Sequence, residues 1–223
     1  MPKRVLLCSL LATVMVVVGL APSAWARSPV KPRPPDPIAI LARQTLVALS
    51  FSRPLAVETA MTTHAVALFS ASSEPGDEYV ALREQLASLV ADRLKTATAL
   101  ALVTAWADAS EDRMVVVLSA LSQLGVRYRW GTQLPGISFD CSGLTRWSWA
   151  QVGVELPRSA RSQIRTATRR PKDALQVGDL VYHVEHVSLY LGAGNAVVNA
   201  PQTGKLVEVR DWRRETRFGD PLG

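Results

Sequence analysis

The chain has 223 residues, two cysteines and a formal net charge of +6 at pH 7. This length suits one or two domains of ~100 to 200 residues each. The charge excess is modest, and the arginines are scattered without interleaved aromatic residues, which excludes the usual pattern of a nucleic-acid-binding protein.

The first 26 residues have the order of a secretory signal peptide. Lys3 and Arg4 precede an apolar run from Val5 to Leu20, and the small-residue pattern Ala24, Trp25, Ala26 follows it. The run is shorter than the roughly 20 apolar residues that a spanning helix needs, so we favour a cleaved signal over an uncleaved anchor. We predict that residues 1–26 are removed and that the protein is exported.

Removal of the signal would leave one cysteine. Cys8 lies inside the signal, so the mature chain would keep only Cys141. A lone cysteine in an exported protein indicates either an intermolecular disulfide or a free reactive thiol. The three histidines include one close pair, His183 and His186, and no zinc-protease pattern occurs. We therefore expect no metal and no organic cofactor.

Residues 27–37 contain five prolines and predict an extended, semi-rigid linker.

Residues 38–107 are rich in Ala, Leu, Val and Thr and predict helices. The clearest helix runs from about Asp77 to Val103, where apolar residues recur at helical spacing. A helical hairpin is the simplest architecture for this region. We favour a packing role for the hairpin over an inhibitory or wall-docking role, and either role allows intramolecular contact with the domain that follows.

An α+β domain is predicted for residues 112–213. Ser110 is a candidate N-cap for a helix that continues to the break at Gly125. Short β-type runs then occur at 178–182, 186–191, 196–200 and 206–209. Residues 214–223 are left as a C-terminal tail.

Cys141 lies at the predicted start of a helix, in the order Phe139, Asp140, Cys141, Ser142, Gly143. The helix dipole and the free N–H groups at this position favour a thiolate, which is the attacking form of cysteine. An inert buried cysteine is the alternative. The polar neighbours favour a reactive thiol.

A base for this thiol must come from His183 or His186. Alternation in the predicted strand from His186 to Leu191 places His186 on the face opposite Val187, Leu189 and Leu191. His183 is expected in an exposed turn, so His186 is preferred. Asn199 in the next strand can hold the imidazole tautomer, as an Asn does in Cys-His-Asn proteases.

Six segments in this order resemble the NlpC-type papain-like cysteine peptidases, which are bacterial cell-wall endopeptidases. The segments are Tyr128 to Gly131, Asp140 to Gly143, Leu156 to Ser159, Gly178 to Val181, His186 to Gly192, and Asn199 to Gly204.

The resemblance covers about Asp112 to Trp212 and implies a papain-like α+β fold, in which a Cys-bearing helix packs on an antiparallel sheet. It implies a thiol protease that hydrolyses peptidoglycan stem peptides, typically between D-glutamate and the diamino acid. By the same resemblance, Cys141 is the nucleophile, His186 the base and Asn199 the orienting residue. Tyr128 would stabilise the oxyanion, and four residues would bind substrate: Asp140, Ser142, Arg158 and Ser159.

Three positions depart from the family pattern. Thr132 and Ser188 replace glycines, and Asn199 stands where His is more usual. The loop before Asn199 is also one residue longer than typical. Two other functions therefore remain open beside the endopeptidase: a catalytically silent wall-binding or scaffold module, and an acyltransferase that uses the same cysteine.

Overall fold

The computed structural model describes residues 33–52, 75–213 and 216–223. The predicted signal peptide and most of the linker lie outside these residues. The described ranges contain six α-helices: α1 (Pro37–Ser52), α2 (Pro75–Ala91), α3 (Ala99–Asp108), α4 (Glu111–Leu121), α5 (Cys141–Ala150) and α6 (Ala160–Thr166). Not one of these six is long and apolar enough to cross a membrane.

The strands of the described ranges form two sheets. The strands are β1 (Arg127–Tyr128), β2 (Gln133–Leu134), β3 (Ser138–Phe139), β4 (Thr168–Arg170), β5 (Leu180–His183), β6 (His186–Tyr190), β7 (Ala196–Asn199), β8 (Glu208–Asp211) and β9 (Arg217–Asp220). The small sheet has the order β1-β3-β2, and the large sheet has the order β4-β9-β5-β6-β7-β8. All neighbours in the large sheet are antiparallel.

Both faces of the large sheet are covered. One face carries Leu180, Leu189 and Val198, which join the main core with Leu144 and Trp149 of α5. The other face carries a smaller buried cluster of Val181, Tyr190, Val197 and Trp212. The two sets alternate along each strand, because successive side chains of a strand point to opposite faces. The architecture is α+β with the Cys-bearing helix packed on an antiparallel sheet, which confirms the predicted fold class.

The helix predicted from Asp77 to Val103 is broken. α2 ends at Ala91, and α3 begins at Ala99 with the Thr98 hydroxyl accepting a hydrogen bond from Ala101 N–H at its start. Between them, the Asp211 carboxylate accepts hydrogen bonds from the Lys95 N–H (2.8 Å) and the Thr96 hydroxyl (2.5 Å). Asp211 lies in β8, far along the chain, so a tertiary contact ends a helix that the local apolar pattern would continue.

The N-terminal helices pack directly on the α+β domain. Trp106 of α3 is 1% exposed, and its indole N–H donates to the Leu191 carbonyl (2.6 Å) just after β6. The Arg43 guanidinium of α1 donates to the Ser122 carbonyl at the end of α4 (3.2 Å). The described residues from Pro35 onward belong to one compact unit. These contacts support the packing role of the helical region.

The predicted C-terminal tail is instead part of the large sheet. β9 pairs with both β4 and β5, and Gly219 lies opposite Leu180 on one side and Arg169 on the other. The Asp220 carboxylate accepts from the buried Arg113 guanidinium (2.6 Å), which also donates to Asp179 (2.8 Å). The prediction was wrong because a four-residue strand with two charged ends has almost no alternating apolar pattern, and its pairing depends on distant partners.

Candidate active site

Cys141 is the first residue of α5, and the turn before it is held by Asp140. The Asp140 carboxylate accepts from the N–H groups of Gly143 (2.7 Å) and Gly131 (2.8 Å). Gly143 has no room for a side chain, since a Cβ there would lie 2.3 Å from the Thr132 carbonyl oxygen. Asp140 and Gly143 of the Asp-Cys-Ser-Gly sequence thus allow the first turn of α5 to pack closely against the loop that contains Thr132.

The Cys141 thiol lies at a cleft of about 260 Å³. The cleft is lined by Trp130, Gly131, Asp140, Cys141, Ser142, Arg158, Ser159, Ala160 and Glu185. Cys141 itself is only 7% exposed, and its sulfur lies 4.0 Å from the Glu185 carbonyl oxygen, to which the thiol donates. No residue of α1, α2 or α3 lines this cleft within the described part of the chain.

Burial raises the pKa of the Cys141 thiol, and the charge of Asp140 adds to this effect. The N–H groups of Val187, Ser142 and Cys141 face the sulfur and lower the pKa, but burial outweighs them. The N–H groups at the helix start thus act on the thiol pKa in the expected direction, and the net pKa is nevertheless raised. Desolvation of the sulfur is the larger effect.

The rate at which Cys141 is alkylated should depend on pH, because the thiol is protonated in the resting protein. We expect the rate of reaction with iodoacetamide to rise about tenfold per pH unit between pH 6 and 8, because the thiolate fraction grows in that proportion below the pKa. The rate is measured by mass spectrometry, with Cys141→Ser as the control for other sites. A rate that is constant over this range would show a preformed thiolate and contradict the prediction.

His186 begins β6 and is half-buried. Burial, together with the smaller effects of the His183 and Arg210 charges, lowers the pKa of its imidazole to about 4, whereas Asn199 acts in the opposite direction. The imidazole is therefore neutral at physiological pH and able to accept a proton.

The thiol and the imidazole are neighbours but are not hydrogen-bonded to each other. The thiol contacts the β6 backbone on both sides of His186, at the Glu185 carbonyl and the Val187 N–H. Among the described residues, those that line the cleft do not include His186 or Asn199.

Asn199 is the last residue of β7 and is 1% exposed. Its amide raises the pKa of the His186 imidazole, which places it beside the base. Neither the nitrogen nor the oxygen of the amide makes a hydrogen bond within the described residues. A buried amide without partners carries a desolvation cost, so this group is available to a protonated imidazole.

The predicted substrate-binding residues lie together, and three of them form one network. The Arg158 guanidinium donates to both Asp140 oxygens (3.0 and 2.5 Å) and to the Ser142 hydroxyl (2.9 Å). This bidentate pair leaves part of the guanidinium exposed to the cleft. Ser159 caps α6 by accepting from the Ser162 N–H (3.1 Å).

Tyr128 is the predicted oxyanion residue. Burial raises the pKa of its phenol, and the charge of Cys141 raises it further. The effect of the Cys141 charge indicates that the phenol lies near the thiol.

Sequence reasoning missed two residues of the β5–β6 connection. Glu185 lines the cleft, and His183 is the last residue of β5 rather than part of an exposed turn. The spacing of the two histidines carried a signal for this arrangement, since two residues between two strands are typical of a tight hairpin. Within the described ranges, no group of three or more His, Cys, Asp or Glu residues is arranged to hold a metal ion.

Residues 125–217 match the model of the NlpC/P60 family. A probable endopeptidase of Corynebacterium glutamicum is 36% identical over 94 residues, covering 41% of this chain and 44% of the relative. The peptidoglycan endopeptidase RipA of Mycobacterium tuberculosis is 33% identical over 110 residues, covering 42% of this chain and 23% of the relative. The chain thus spans less than half the length of these relatives.

Solved structures give weaker similarities over the same region. The P60 domain of an antigen from M. avium subspecies paratuberculosis is 28% identical, with a TM-score of 0.46, and the match covers 51% of this chain and 96% of that one. RipD from M. tuberculosis, described as a non-catalytic NlpC/p60 domain protein adapted to peptidoglycan binding, is 25% identical with a TM-score of 0.43, over 50% of this chain and 98% of that one.

Proposed function

We propose, from the match of residues 125–217 to the model of the NlpC/P60 family, that the protein is an exported thiol endopeptidase of peptidoglycan stem peptides. The single observation that carries the proposal is the position of the Cys141 thiol. It lies at the cleft, on the first turn of a helix, and touches the backbone on both sides of His186. The names of the relatives, a probable endopeptidase and a peptidoglycan endopeptidase, support the same reaction class.

The reaction begins with transfer of the thiol proton to the neutral His186 imidazole. The thiolate then attacks the amide carbonyl of the stem peptide, and negative charge develops on the carbonyl oxygen. The Cys141 N–H at the helix start and the Tyr128 hydroxyl are the donors for this oxyanion. His186 returns its proton to the leaving amine, and water hydrolyses the thioacyl intermediate with His186 again as base.

Asn199 acts on the protonated form of the base. Its amide favours the imidazolium, so its oxygen accepts a hydrogen bond that is strongest once His186 carries the thiol proton. An amide has no charge, and its effect is therefore smaller than that of a carboxylate in the same place.

Substrate binding involves Arg158. The exposed part of its guanidinium binds a carboxylate of the stem peptide. The D-glutamyl to diamino acid bond is the one that we propose is cut.

The test is digestion of purified peptidoglycan by the full chain, with the released fragments identified by mass spectrometry. We expect new amine termini at the diamino acid, and no release by Cys141→Ala. This variant removes only the sulfur at a well-packed position and keeps the helix start, so it controls for contaminating hydrolases. Equal release by both proteins would contradict the proposal.

One observation favours the catalytically silent binding module. The thiol and the base are not hydrogen-bonded to each other in the free protein, and the thiol pKa is raised. Co-sedimentation with peptidoglycan, without released fragments and equally by Cys141→Ala, would support this second function. Cross-linked products formed with an added amine would instead support the acyltransferase.

A further inference from the structure

The two histidines of the β5–β6 hairpin form a stacked pair. The register places His183 directly opposite His186, and the ring centroids lie 4.8 Å apart with an angle of 25° between the ring planes. Directly opposed residues of antiparallel strands have Cβ atoms about 4.5 to 5.5 Å apart. The strand register therefore imposes the stacking.

The turn that joins these residues is held in a tight conformation. Only Val184 and Glu185 separate the strands, and Glu185 has a φ of 58°, which is uncommon for a residue with a side chain. The Glu185 N–H donates to the Tyr182 hydroxyl (3.2 Å), and its carboxylate accepts from the Arg161 guanidinium (2.6 Å). A conformation of this kind persists where surrounding contacts fix it, so the distance between the two rings is fixed as well.

We propose, building on the function proposed above, that His183 is a positioning residue for the base: its stacked ring sets the orientation of the His186 imidazole. Stacking occupies the face of the ring and leaves its edge, with both nitrogens, free for Cys141 and Asn199. The family resemblance assigns no role to this position.

Charged groups approach His186 from several elements. His183 faces it from β5, and Arg210 faces it from β8, where Arg210 pairs with Glu208 (3.7 Å). Asn199 faces it from β7 as a neutral amide, and the Cys141 thiol of α5 contacts the adjacent backbone. Two imidazolium rings at stacking distance repel each other, so a charge on His183 adds to the larger effect of burial in disfavouring the protonated His186 imidazole.

Two substitutions separate the ring from the charge. His183→Phe keeps an aromatic face against His186 and removes the charge, whereas His183→Ala removes both. Val184→Ala is the matched control, because this residue lies in the same turn and is 84% exposed. The full chain is used throughout, and thermal unfolding confirms that each variant is folded.

The first measurement is the protonation of His186, followed by the NMR signals of its ring between pH 4.5 and 7.5. In the wild type and in Val184→Ala we expect the neutral form down to about pH 5. In His183→Phe we expect half-protonation to move upward by about one pH unit, because the cationic neighbour is gone while the burial remains. Identical titration in the wild type and both His183 variants would overturn the proposal.

The second measurement is peptidoglycan cleavage. His183→Phe should keep kcat at its optimum within about threefold, with the acidic limb of its pH profile moved upward, and His183→Ala should lose about tenfold in kcat with little change in KM. A loss that is equal in the two variants, without a moved limb, would indicate a merely structural residue and overturn the proposal. If the wild type releases no fragments while the His186 titration shifts as expected, the endopeptidase proposal fails and the positioning role stands.

Discussion

A chain that ends at Arg213 is expected to lose cooperative folding, because it lacks β9 in the interior of the large sheet. Without this strand, β4 and β5 have no partner on the facing sides. The buried Arg113 also loses one of its two carboxylates, Asp220. Removing one partner of a buried ion pair costs about 3 to 5 kcal/mol, which is a large share of the 5 to 15 kcal/mol that stabilises a typical domain.

The measurement is urea unfolding followed by circular dichroism. A chain that ends at Pro221 is the matched control, since it keeps β9 and the carboxylate of Asp220 and loses Leu222 and Gly223 with the hydrogen bond from the Leu222 N–H to Asp220 (3.0 Å). Asp220→Asn tests the ion pair alone, and we expect it to lower the free energy of unfolding by about 3 kcal/mol or more. A sharp, wild-type-like transition in the chain that ends at Arg213 would show that β9 is dispensable.

His186→Ala is expected to lower kcat by about a thousandfold with little change in KM, because the variant has no base for the thiol and no acid for the leaving amine. Asn199→Ala should lose only about tenfold, since a neutral amide orients the imidazole without supplying charge. Both values are measured on a defined muropeptide at pH 7. The contrast between the two variants distinguishes the base from the residue that orients it.

Added imidazole provides a control for His186→Ala. The missing side chain leaves space beside the thiol, and partial recovery of kcat by free imidazole would show that the loss is chemical. A His186→Ala variant that keeps more than about a tenth of the wild-type kcat would contradict the assignment of the base and leave His183 as the remaining histidine of the hairpin.

The fold of the α+β domain could be predicted from local patterns. Ser110 does cap α4, with its hydroxyl accepting from the Arg113 N–H. The Asp-Cys-Ser-Gly order marked the start of α5 correctly, since the Asp140 carboxylate accepts from the Gly143 N–H. All four predicted strands are found within two residues of their expected positions, and the largest displacement of a whole strand is that of β8 (Glu208–Asp211), which lies two residues later than predicted. These features depend on helix caps and on the alternation of apolar and polar residues along a strand. Both signals lie within a short stretch of the sequence.

Features that depend on distant partners could not be predicted in this way. The break between α2 and α3 depends on Asp211, and the place of β9 depends on Arg113. The raised pKa of Cys141 reflects the burial of the sulfur, whereas the sequence shows only its position at a helix start.

The amino-acid sequence by itself determined which residues we propose for the chemistry: a lone cysteine at a helix start, a histidine at the head of a strand, and an asparagine in the next strand. Only the tertiary structure decided how those groups are tuned. It buried the thiol, brought His183 onto His186 through a two-residue turn, and inserted β9 into the sheet. The physical reason is that residue type and local periodicity are properties of short segments, whereas desolvation, ring stacking and charge coupling depend on atoms that the fold brings together from far along the chain.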